Sequence, residues 1–373
     1  MRSGLPIDEA LGPLSAALRT AANAVVVAPP GAGKSTVVPL ALLEEPWARD
    51  KRIVMLEPRR LATRAVAERM AATLGERVGD TVGYRMRLET RVGKLTRIEV
   101  VTEGVFTRML QRDPALEGIA AVLFDEYHER SLHADVGLAF VLDAQRHVAP
   151  ELRVLAMSAT IDGARVASLL GGPVVESLGR LFPVETRYVG KGLPTLPGGA
   201  EYVDALVARA VQRALAETGG DMLVFLPGAG EIRRVEQRLA EELGAATVDV
   251  LPLYGELAPG AQDAALAPAR SGRRKVVLAT NIAETSLTID GVCVVVDAGL
   301  ERRSLFDPVT GMSRLETQRI ARASAEQRAG RAGRTAPGVC YRLWSESAER
   351  SLAAYAAPEI AVADLVPLAL DLG

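Results

Sequence analysis

The sequence predicts an α/β protein with two tandem units, each a mostly parallel β-sheet flanked by helices. Short apolar runs rich in β-branched residues alternate with longer Ala/Leu/Arg-rich stretches that are typical of helices. Strands buried on both faces show such continuous apolar runs, and the intervening helices imply parallel, right-handed connections. One Gly- and Pro-rich stretch, at 179–200, interrupts the series and predicts a linker between the two units.

The apolar runs place the strands in order along the chain. Those of the first unit lie at 24–28, 52–56, 97–102, 121–125 and 153–159, and those of the second at 221–227, 275–280 and 292–297. We therefore predict a first domain over 1–178 and a second over 201–345. The tail at 346–373 has a helical pattern that ends on an apolar stretch, so we expect the protein to continue beyond it.

Composition limits the function classes. The chain has 373 residues, 49% hydrophobic and 24% charged, with a formal net charge of −2, which argues against coating nucleic acid by bulk charge but allows a local basic groove. Cys293 and Cys340 are far apart and have no metal-ligand spacing, as expected in a reducing compartment. No apolar run reaches membrane-spanning length and no secretion signal is visible, so we expect a cytoplasmic protein with no membrane partner.

The stretch AVVVAPPGAGKST at 24–36 predicts a strand, a Gly-rich loop and the start of a helix. Small residues let backbone N–H groups converge on phosphate oxygens, and the helix N-terminus adds partial positive charge. Lys34 can reach the β- and γ-phosphates and the Ser35 hydroxyl can ligate Mg²⁺, although Ala28 occupies the first glycine position of the G-x-x-x-x-G-K-[ST] pattern. The alternative is a Gly-rich turn with an unrelated lysine. The predicted ATP-binding residues here are Gly31, Ala32, Gly33, Lys34, Ser35 and Thr36.

In the stretch AVLFDEYHERS at 121–131, an apolar predicted strand ends at two adjacent acids. Buried neighbouring carboxylates repel each other and resist desolvation, so a cation should compensate them. With the phosphate loop upstream, that cation is Mg²⁺. Asp125 would hold it through water, and Glu126 would polarise the attacking water, on a strand that we expect beside the phosphate loop. The alternative is a solvated acidic turn. The predicted metal site comprises Ser35, Asp125 and Glu126.

DEYH at 125–128 resembles the DEAH-box family of superfamily 2 helicases, with Tyr127 in place of the family's alanine, and DEYHERSLHAD is especially similar to the bacterial HrpB-type branch. The resemblance covers about residues 5 to 372 and implies two RecA-like domains with ATP and Mg²⁺ in the cleft between them. It also implies that 346–373 begins a truncated winged-helix region. The other matching blocks, in chain order, are APPGAGKS, EPRR, VTEG, SAT, FLPGAGEI, LATNIAETSLTIDG and QRAGRAGR.

QRAGRAGR at 327–334 places Gln327, Arg331 and Arg334 at i, i+4 and i+7, which predicts one shared helix face. Two arginines on one face suit a polyphosphate. By the resemblance they lie on the second domain and reach the γ-phosphate only when the cleft closes, where an arginine can raise the rate by about 10³–10⁵. Gln327 would help to position water. A basic, solvated helix is the alternative.

The resemblance also implies residues that couple ATP to the grip on nucleic acid and residues that contact the base. His128 would bridge toward the SAT segment, and the predicted coupling residues are His128, Ser158 and Thr160. Asp290 would approach the nucleotide, with the adenine between Arg69 and Leu266. An aromatic residue is usual at the second of these positions, so we expect weaker stacking. Without the family, Arg69 is a solvated helix residue and Leu266 is core.

A translocating enzyme must grip the backbone of its strand, because base-specific contacts would stall it. By the resemblance the polymer is single-stranded RNA, with DNA as an alternative, and movement is 3′ to 5′. Residues 299–318 predict a hairpin around DPVTG, with Arg302, Arg303 and Arg314 as a basic surface or as parts of a plain structural hairpin. The predicted nucleic-acid contacts are Arg59, Arg60, Thr102, Glu103, Gly104, Thr280 and Asn281.

Three functions are compatible with these patterns. The first is an ATP-driven RNA helicase or translocase. The second is a nucleotide-switched RNA-binding module that does not unwind. The third, a small-molecule kinase, is disfavoured because QRAGRAGR lies on a second α/β domain. Protein partners cannot be read from the sequence.

Overall fold

A computed structural model describes residues 3–159, 163–179, 182–196, 202–243, 248–284, 287 and 289–372. The chain divides into two compact units. The first contains Met1–Arg180 together with Pro358–Ile360, and the second contains Leu181–Ala357 and Ala361–Gly373. Each unit is built on a RecA-like sheet, as the sequence predicts.

Both units alternate strands with helices. The helices are α1 (Asp8–Thr20), α2 (Lys34–Leu42), α3 (Arg60–Leu74), α4 (Glu103–Arg112), α5 (Leu132–His147), α6 (Gly163–Leu170), α7 (Val203–Glu217), α8 (Ala229–Leu243), α9 (Pro259–Leu266), α10 (Arg322–Gly330), α11 (Glu346–Glu349) and α12 (Val366–Leu372). Short 3₁₀ turns lie at Pro46–Ala48, Tyr127–Glu129, Asn281–Ala283 and Glu359–Ala361.

The strands form one sheet in each unit and a separate hairpin. They are β1 (Asn23–Val27), β2 (Arg52–Glu57), β3 (Val82–Met86), β4 (Glu89–Arg91), β5 (Ile98–Thr102), β6 (Ile119–Phe124), β7 (Arg153–Ser158), β8 (Val174–Glu176), β9 (Val184–Tyr188), β10 (Asp221–Phe225), β11 (Val248–Leu253), β12 (Arg274–Ala279), β13 (Val292–Asp297), β14 (Leu300–Asp307), β15 (Met312–Arg319) and β16 (Gly338–Arg342).

The first sheet has the strand order β4-β3-β5-β2-β6-β7-β1-β8, and within this sheet β3–β4 is the only antiparallel pair among the described residues. Alternate residues of β1 enter opposite cores: Ala24 and Val26 pack on one face of the sheet, and Val25 and Val27 pack on the other. This alternation is the geometry of a strand buried on both faces. It explains why the predicted strands of this unit read as unbroken apolar runs, and all of them are confirmed.

The second sheet is parallel throughout its described pairs, with the order β11-β12-β10-β13-β16-β9. Strand β9, Val184–Tyr188, lies inside the stretch predicted as a linker and pairs with β16 at the sheet edge. The linker prediction over 179–200 is therefore wrong for this segment. As an edge strand, VETRY is only half-buried and carries charged residues, so it lacks the apolar signature of the central strands.

The predicted hairpin is confirmed. Strands β14 and β15 pair antiparallel from Leu300↔Arg319 to Asp307↔Met312. Its turn ends at Gly311, which adopts a left-handed conformation (φ 67°). In the described parts of the chain, no helix is both long and apolar enough to cross a membrane.

Candidate nucleotide site and nucleic-acid interface

Most of the predicted site residues of the first unit follow neighbouring strands. Strand β2 pairs with both β5 and β6, and β7 pairs with both β6 and β1. Because all these pairs are parallel, the segments after the strands lie at one edge of the sheet, where open α/β sheets bind ligands. Strand β7 lies between β6, which leads to Asp125, and β1, which leads to the phosphate loop. The acids after β6 still lie beside that loop, as predicted, because Lys34 Nζ is 2.9 Å from Glu126 Oε1.

The phosphate loop depends on glycine conformations. Gly31 and Gly33 have φ of 83° and 100°, in the left-handed region that other residues avoid. A Cβ at Gly33 would approach Leu5 Cδ1 to 2.9 Å and Ile7 Cγ2 to 3.0 Å. The N-terminal segment also contacts the loop through a hydrogen bond, in which the Ile7 N–H donates to the Ala32 carbonyl at 3.0 Å. Gly33 is thus required both for the turn into α2 and for the packing of the N-terminal segment.

Lys34 is the cation that compensates the acids in this state. It is 4% exposed, and its Nζ lies 2.9 Å from Glu126 Oε1 and 4.0 Å from Asp125 Oδ1. Burial alone would lower the pKa of Lys34, but the charges of Glu126 and Asp125 outweigh burial and raise it. The phosphate-loop lysine and the DEYH acids, ninety residues apart in the chain, therefore form one buried ionic cluster.

Glu57 is a third carboxyl group in this cluster, and the sequence analysis did not identify it. It ends β2, is completely buried, and contacts Asp125. Burial and the nearby charge of Asp125 raise the pKa of Glu57 well above its usual range. The signal was available, because RIVMLE is also an apolar strand that ends in an acid.

The proposed Mg²⁺ ligands fit that ion. Burial raises the pKa of Asp125, and the nearby Ser35 hydroxyl opposes that rise. Asp125 Oδ2 is buried without a hydrogen-bond partner among the described residues. Mg²⁺ prefers hard oxygen ligands and is usually held by one or two carboxylates together with substrate phosphates. In the described residues, no group of three or more His, Cys, Asp or Glu is arranged to hold a metal ion.

The DEYH turn has an unusual backbone. Glu126 and Arg130 have φ of 49° and 51°, so two non-glycine residues in the left-handed region bracket the 3₁₀ turn Tyr127–Glu129. Such conformations persist only where surrounding contacts hold them. His128 Nδ1 accepts a hydrogen bond from the Ala159 N–H at 3.3 Å, next to Ser158. This contact supports the predicted bridge to the SAT segment. Thr160 lies outside the described residues.

The QRAGRAGR arginines do not share one helix face, because α10 ends at Gly330. Gln327 lies in the helix, whereas Arg331 and Arg334 follow it. Arg331 Nε donates to the Glu284 carbonyl at 2.9 Å, and both arginines donate to the carbonyl of Leu287. The glycines at 330 and 333 end the helix that the i, i+4, i+7 spacing assumes. The two guanidinium groups still meet, at the segment that follows β12.

Arg328, which the sequence analysis did not single out, is the structural centre of this motif. It is completely buried and donates to Glu284 Oε2 at 3.0 Å and to Asp297 Oδ1 at 2.9 Å. Burial raises the pKa of Asp297, and Arg328 opposes that rise. The apolar strand VCVVVD ends in the buried acid Asp297, just as AVLFDE ends in buried acids. Here an arginine supplies the counter-charge.

In the second unit, the two residues predicted to contact the nucleotide, Leu266 and Asp290, both lie near Lys275. Lys275 is buried, and its Nζ donates to the carbonyls of Ala265 and Ala267, on either side of half-buried Leu266. Asp290 is exposed and near enough to raise the pKa of Lys275, although burial has the larger effect and lowers it. Arg69 is exposed on α3 of the first unit. Contact of Arg69, Leu266 and Asp290 with the nucleotide stays a prediction.

The predicted nucleic-acid contacts lie at helix starts and strand ends. Arg59 is the N-cap of α3, and Thr102 is the N-cap of α4, which begins at Glu103. Thr280 follows β12, and its Oγ1 accepts the Ile282 N–H. The geometry fits backbone contacts, since N-terminal amides attract phosphate. The positions of Arg60, Gly104 and Asn281 agree with this pattern: the first two are exposed and the third is half-buried.

Glu103 is a weaker candidate for contact with RNA. Its carboxylate accepts a hydrogen bond from the Ser131 hydroxyl at 2.7 Å. Burial raises the pKa of Glu103 to about 7; the Ser131 hydrogen bond opposes that rise and the charge of Glu129 adds to it. Glu103 therefore supports the segment after the DEYH turn.

The hairpin arginines are partly engaged. Arg302 lies 3.3 Å from Glu231 of α8, and Arg303 donates to the Ala357 carbonyl. Arg314 pairs with Asp307 and Glu316 within the hairpin. Arg302 therefore connects the hairpin to α8. Arg314, which lies near the turn, has the most exposed side chain of the three arginines.

Comparison with known protein families matches both units. Residues 13–169 match the DEAD/DEAH box helicase family, and residues 203–336 match the helicase conserved C-terminal domain. The chain carries both domains in this order and belongs to the DEAD/DEAH-box helicases.

Two relatives and a solved structure resemble this chain over nearly its whole length. The chain is 52% identical over 373 residues to the ATP-dependent RNA helicase HrpB of Escherichia coli, covering 99% of this chain and 45% of that protein. It is 40% identical to the pre-mRNA-splicing factor ATP-dependent RNA helicase prp22 of Schizosaccharomyces pombe, over 94% of this chain and 30% of that protein. A crystal structure of the E. coli DEAH/RHA helicase HrpB superposes with a TM-score of 0.91 at 50% identity, covering 99% of this chain and 46% of that one. The chain thus spans less than half the length of these relatives.

Proposed function

We propose that this chain is the ATP-hydrolysing core of an RNA helicase or translocase of the HrpB type. The observation that carries the proposal is the buried cluster in which Lys34 Nζ lies 2.9 Å from Glu126 Oε1 and 4.0 Å from Asp125 Oδ1, with Ser35 next to Lys34 at the start of α2. These groups combine a phosphate-binding lysine, a pair of hard oxygen ligands and a candidate general base at one sheet edge.

The cluster suggests how nucleotide arrival would prepare hydrolysis. Lys34 cannot bind a phosphate and Glu126 equally well, so binding of the β- and γ-phosphates would draw Lys34 from its ion pair. Glu126 would then be free to orient water and accept its proton. Mg²⁺ held at Ser35 and Asp125 would neutralise phosphate charge. Arg331 and Arg334 of the second unit would complete the site, as the family resemblance implies.

The polymer we propose is single-stranded RNA, bound by its backbone, with 3′ to 5′ movement inferred from the resemblance alone and a cytoplasmic location. The test is phosphate release from ATP with and without single-stranded RNA. We expect RNA-stimulated turnover that Lys34→Ala or Glu126→Gln abolishes, and RNA binding that weakens as salt rises. Turnover that RNA does not change would contradict the proposal.

The second candidate is a nucleotide-switched RNA-binding module, because an ATP-controlled grip on RNA does not by itself require unwinding. A strand-displacement assay on this chain and on a full-length HrpB-type protein separates the two functions. ATP turnover without displacement in either protein would favour the module.

A further inference from the structure

The stretch from the end of the DEYH turn, at Glu129, to Ser131 before α5 is held by residues at two helix starts that we predicted to contact RNA. Arg59, at the start of α3, places Nη2 3.0 Å from Glu129 Oε2. Glu103, at the start of α4, accepts the Ser131 hydroxyl at 2.7 Å. Two elements at the proposed RNA surface therefore hold the stretch that directly follows the catalytic acids.

Glu129 is also tied to Glu126 through the backbone. It ends the 3₁₀ turn, and its N–H donates to the Glu126 carbonyl at 2.9 Å. The turn is bracketed by left-handed Glu126 and Arg130, so its shape depends on the contacts around it. A change at the Glu129 side chain thus acts on a short, strained segment that carries the candidate general base.

We propose that Glu129 is a positioning residue that couples RNA binding to ATP hydrolysis by competing with RNA phosphate for Arg59. Without RNA, the Arg59–Glu129 ion pair holds the DEYH turn in a resting form. A phosphate that takes Arg59 releases Glu129, and the turn that carries Glu126 relaxes into its working form. The inference rests on the proposed function, because it needs RNA to bind near Arg59 and to stimulate turnover.

The direction of the effect follows from linkage. If RNA breaks the ion pair, then loss of the pair must favour RNA binding by the same factor. The side chains of Arg59 and Glu129 are 19% and 22% exposed, and an ion pair so placed is worth roughly a two- to fivefold change in an equilibrium. If RNA stimulates hydrolysis, the state without the pair is the more active one.

The test compares Glu129→Gln, Arg59→Ala and the wild-type chain. Turnover is measured without RNA and at saturating RNA, and RNA affinity is measured by fluorescence anisotropy on a labelled oligonucleotide. For Glu129→Gln we expect RNA-free turnover to rise and RNA to bind more tightly, each by roughly two- to fivefold. For Arg59→Ala we expect RNA-free turnover to rise as well, but RNA to bind more weakly.

Asp249→Asn is the matched control. Asp249 pairs with Arg273 in the second unit at 2.8 Å, and the two side chains are 20% and 25% exposed. The substitution therefore removes a similarly exposed ion pair from the other unit. We expect this variant to resemble the wild type. Thermal unfolding of each variant shows that differences in turnover are not losses of folded protein.

The outcomes separate the inference from the proposed function. Wild-type protein that neither binds RNA nor responds to it would overturn both. Wild-type stimulation together with unchanged RNA-free turnover and RNA affinity in Glu129→Gln would overturn the coupling role alone. Loss of turnover in Glu129→Gln at unchanged RNA affinity would also overturn it, since a merely structural residue would give that result.

Discussion

Replacing Lys34 by alanine should impair the fold as well as the reaction. Lys34 is 4% exposed, and its Nζ lies 2.9 Å from Glu126 Oε1 and 4.0 Å from Asp125 Oδ1. The charge of Glu57 also acts on it. Its removal leaves buried carboxylates without their counter-charge. The usual view of this lysine as a phosphate ligand alone predicts lost activity with unchanged stability.

The size of the effect can be bounded from two directions. Removing one partner of a buried ion pair typically costs about 3–5 kcal/mol. The variant can instead take up a proton, and protonating a glutamate of ordinary pKa costs about 4 kcal/mol at pH 7.5 but only about 2 kcal/mol at pH 5.5. We therefore expect the free energy of unfolding to fall by about 4 kcal/mol at pH 7.5, with roughly half of the loss recovered at pH 5.5.

The assay is urea unfolding followed by circular dichroism at both pH values, with phosphate release measured in parallel. Glu126→Gln is the matched variant, because the amide oxygen can still accept from Lys34 and one buried negative charge is removed. It should lose ATP turnover but change stability by no more than about 1 kcal/mol. Equal unfolding midpoints for Lys34→Ala and the wild type at both pH values would refute the reasoning.

Further predictions concern three other buried or strained positions. Arg328→Met leaves Glu284 and Asp297 buried without a cation, so urea unfolding should show a loss of about 3–5 kcal/mol; a neutral result would mean that the acids are solvated. Gly33→Ala meets both the left-handed φ and the contact with Leu5, and should lower stability by at least about 1–2 kcal/mol and weaken ATP binding measured by calorimetry. Unchanged affinity and stability in that variant would contradict the role of Gly33.

The last prediction of this set concerns pH. The pKa of Glu103 is raised to about 7, so its contribution to stability is complete below its ordinary pKa and is lost as pH rises through about 7. Glu103→Gln should remove this pH dependence, which we expect to be on the order of 2 kcal/mol, from unfolding curves taken between pH 4.5 and 8. Parallel curves for the variant and the wild type would rule it out.

Local patterns predict much of this protein. The central strands, the phosphate loop, the turn after the DEYH acids and the hairpin all match the structure, because each depends on residues close together in the chain. A strand buried on both faces must be largely apolar, and a left-handed turn into a helix strongly favours glycine, wherever the rest of the chain lies.

The partners of the buried charges depend on long-range pairing instead. Glu57 contacts Asp125 only because β2 pairs with β6, and Arg328 meets Asp297 only when α10 packs on β13. The edge strand β9 and the end of α10 at Gly330 also escaped prediction, since half-burial and helix termination are set by neighbouring elements. A sequence pattern shows that a buried acid needs a cation, but only the folded chain decides which cation comes within reach, because Coulomb energy depends on distances that the chain order does not contain.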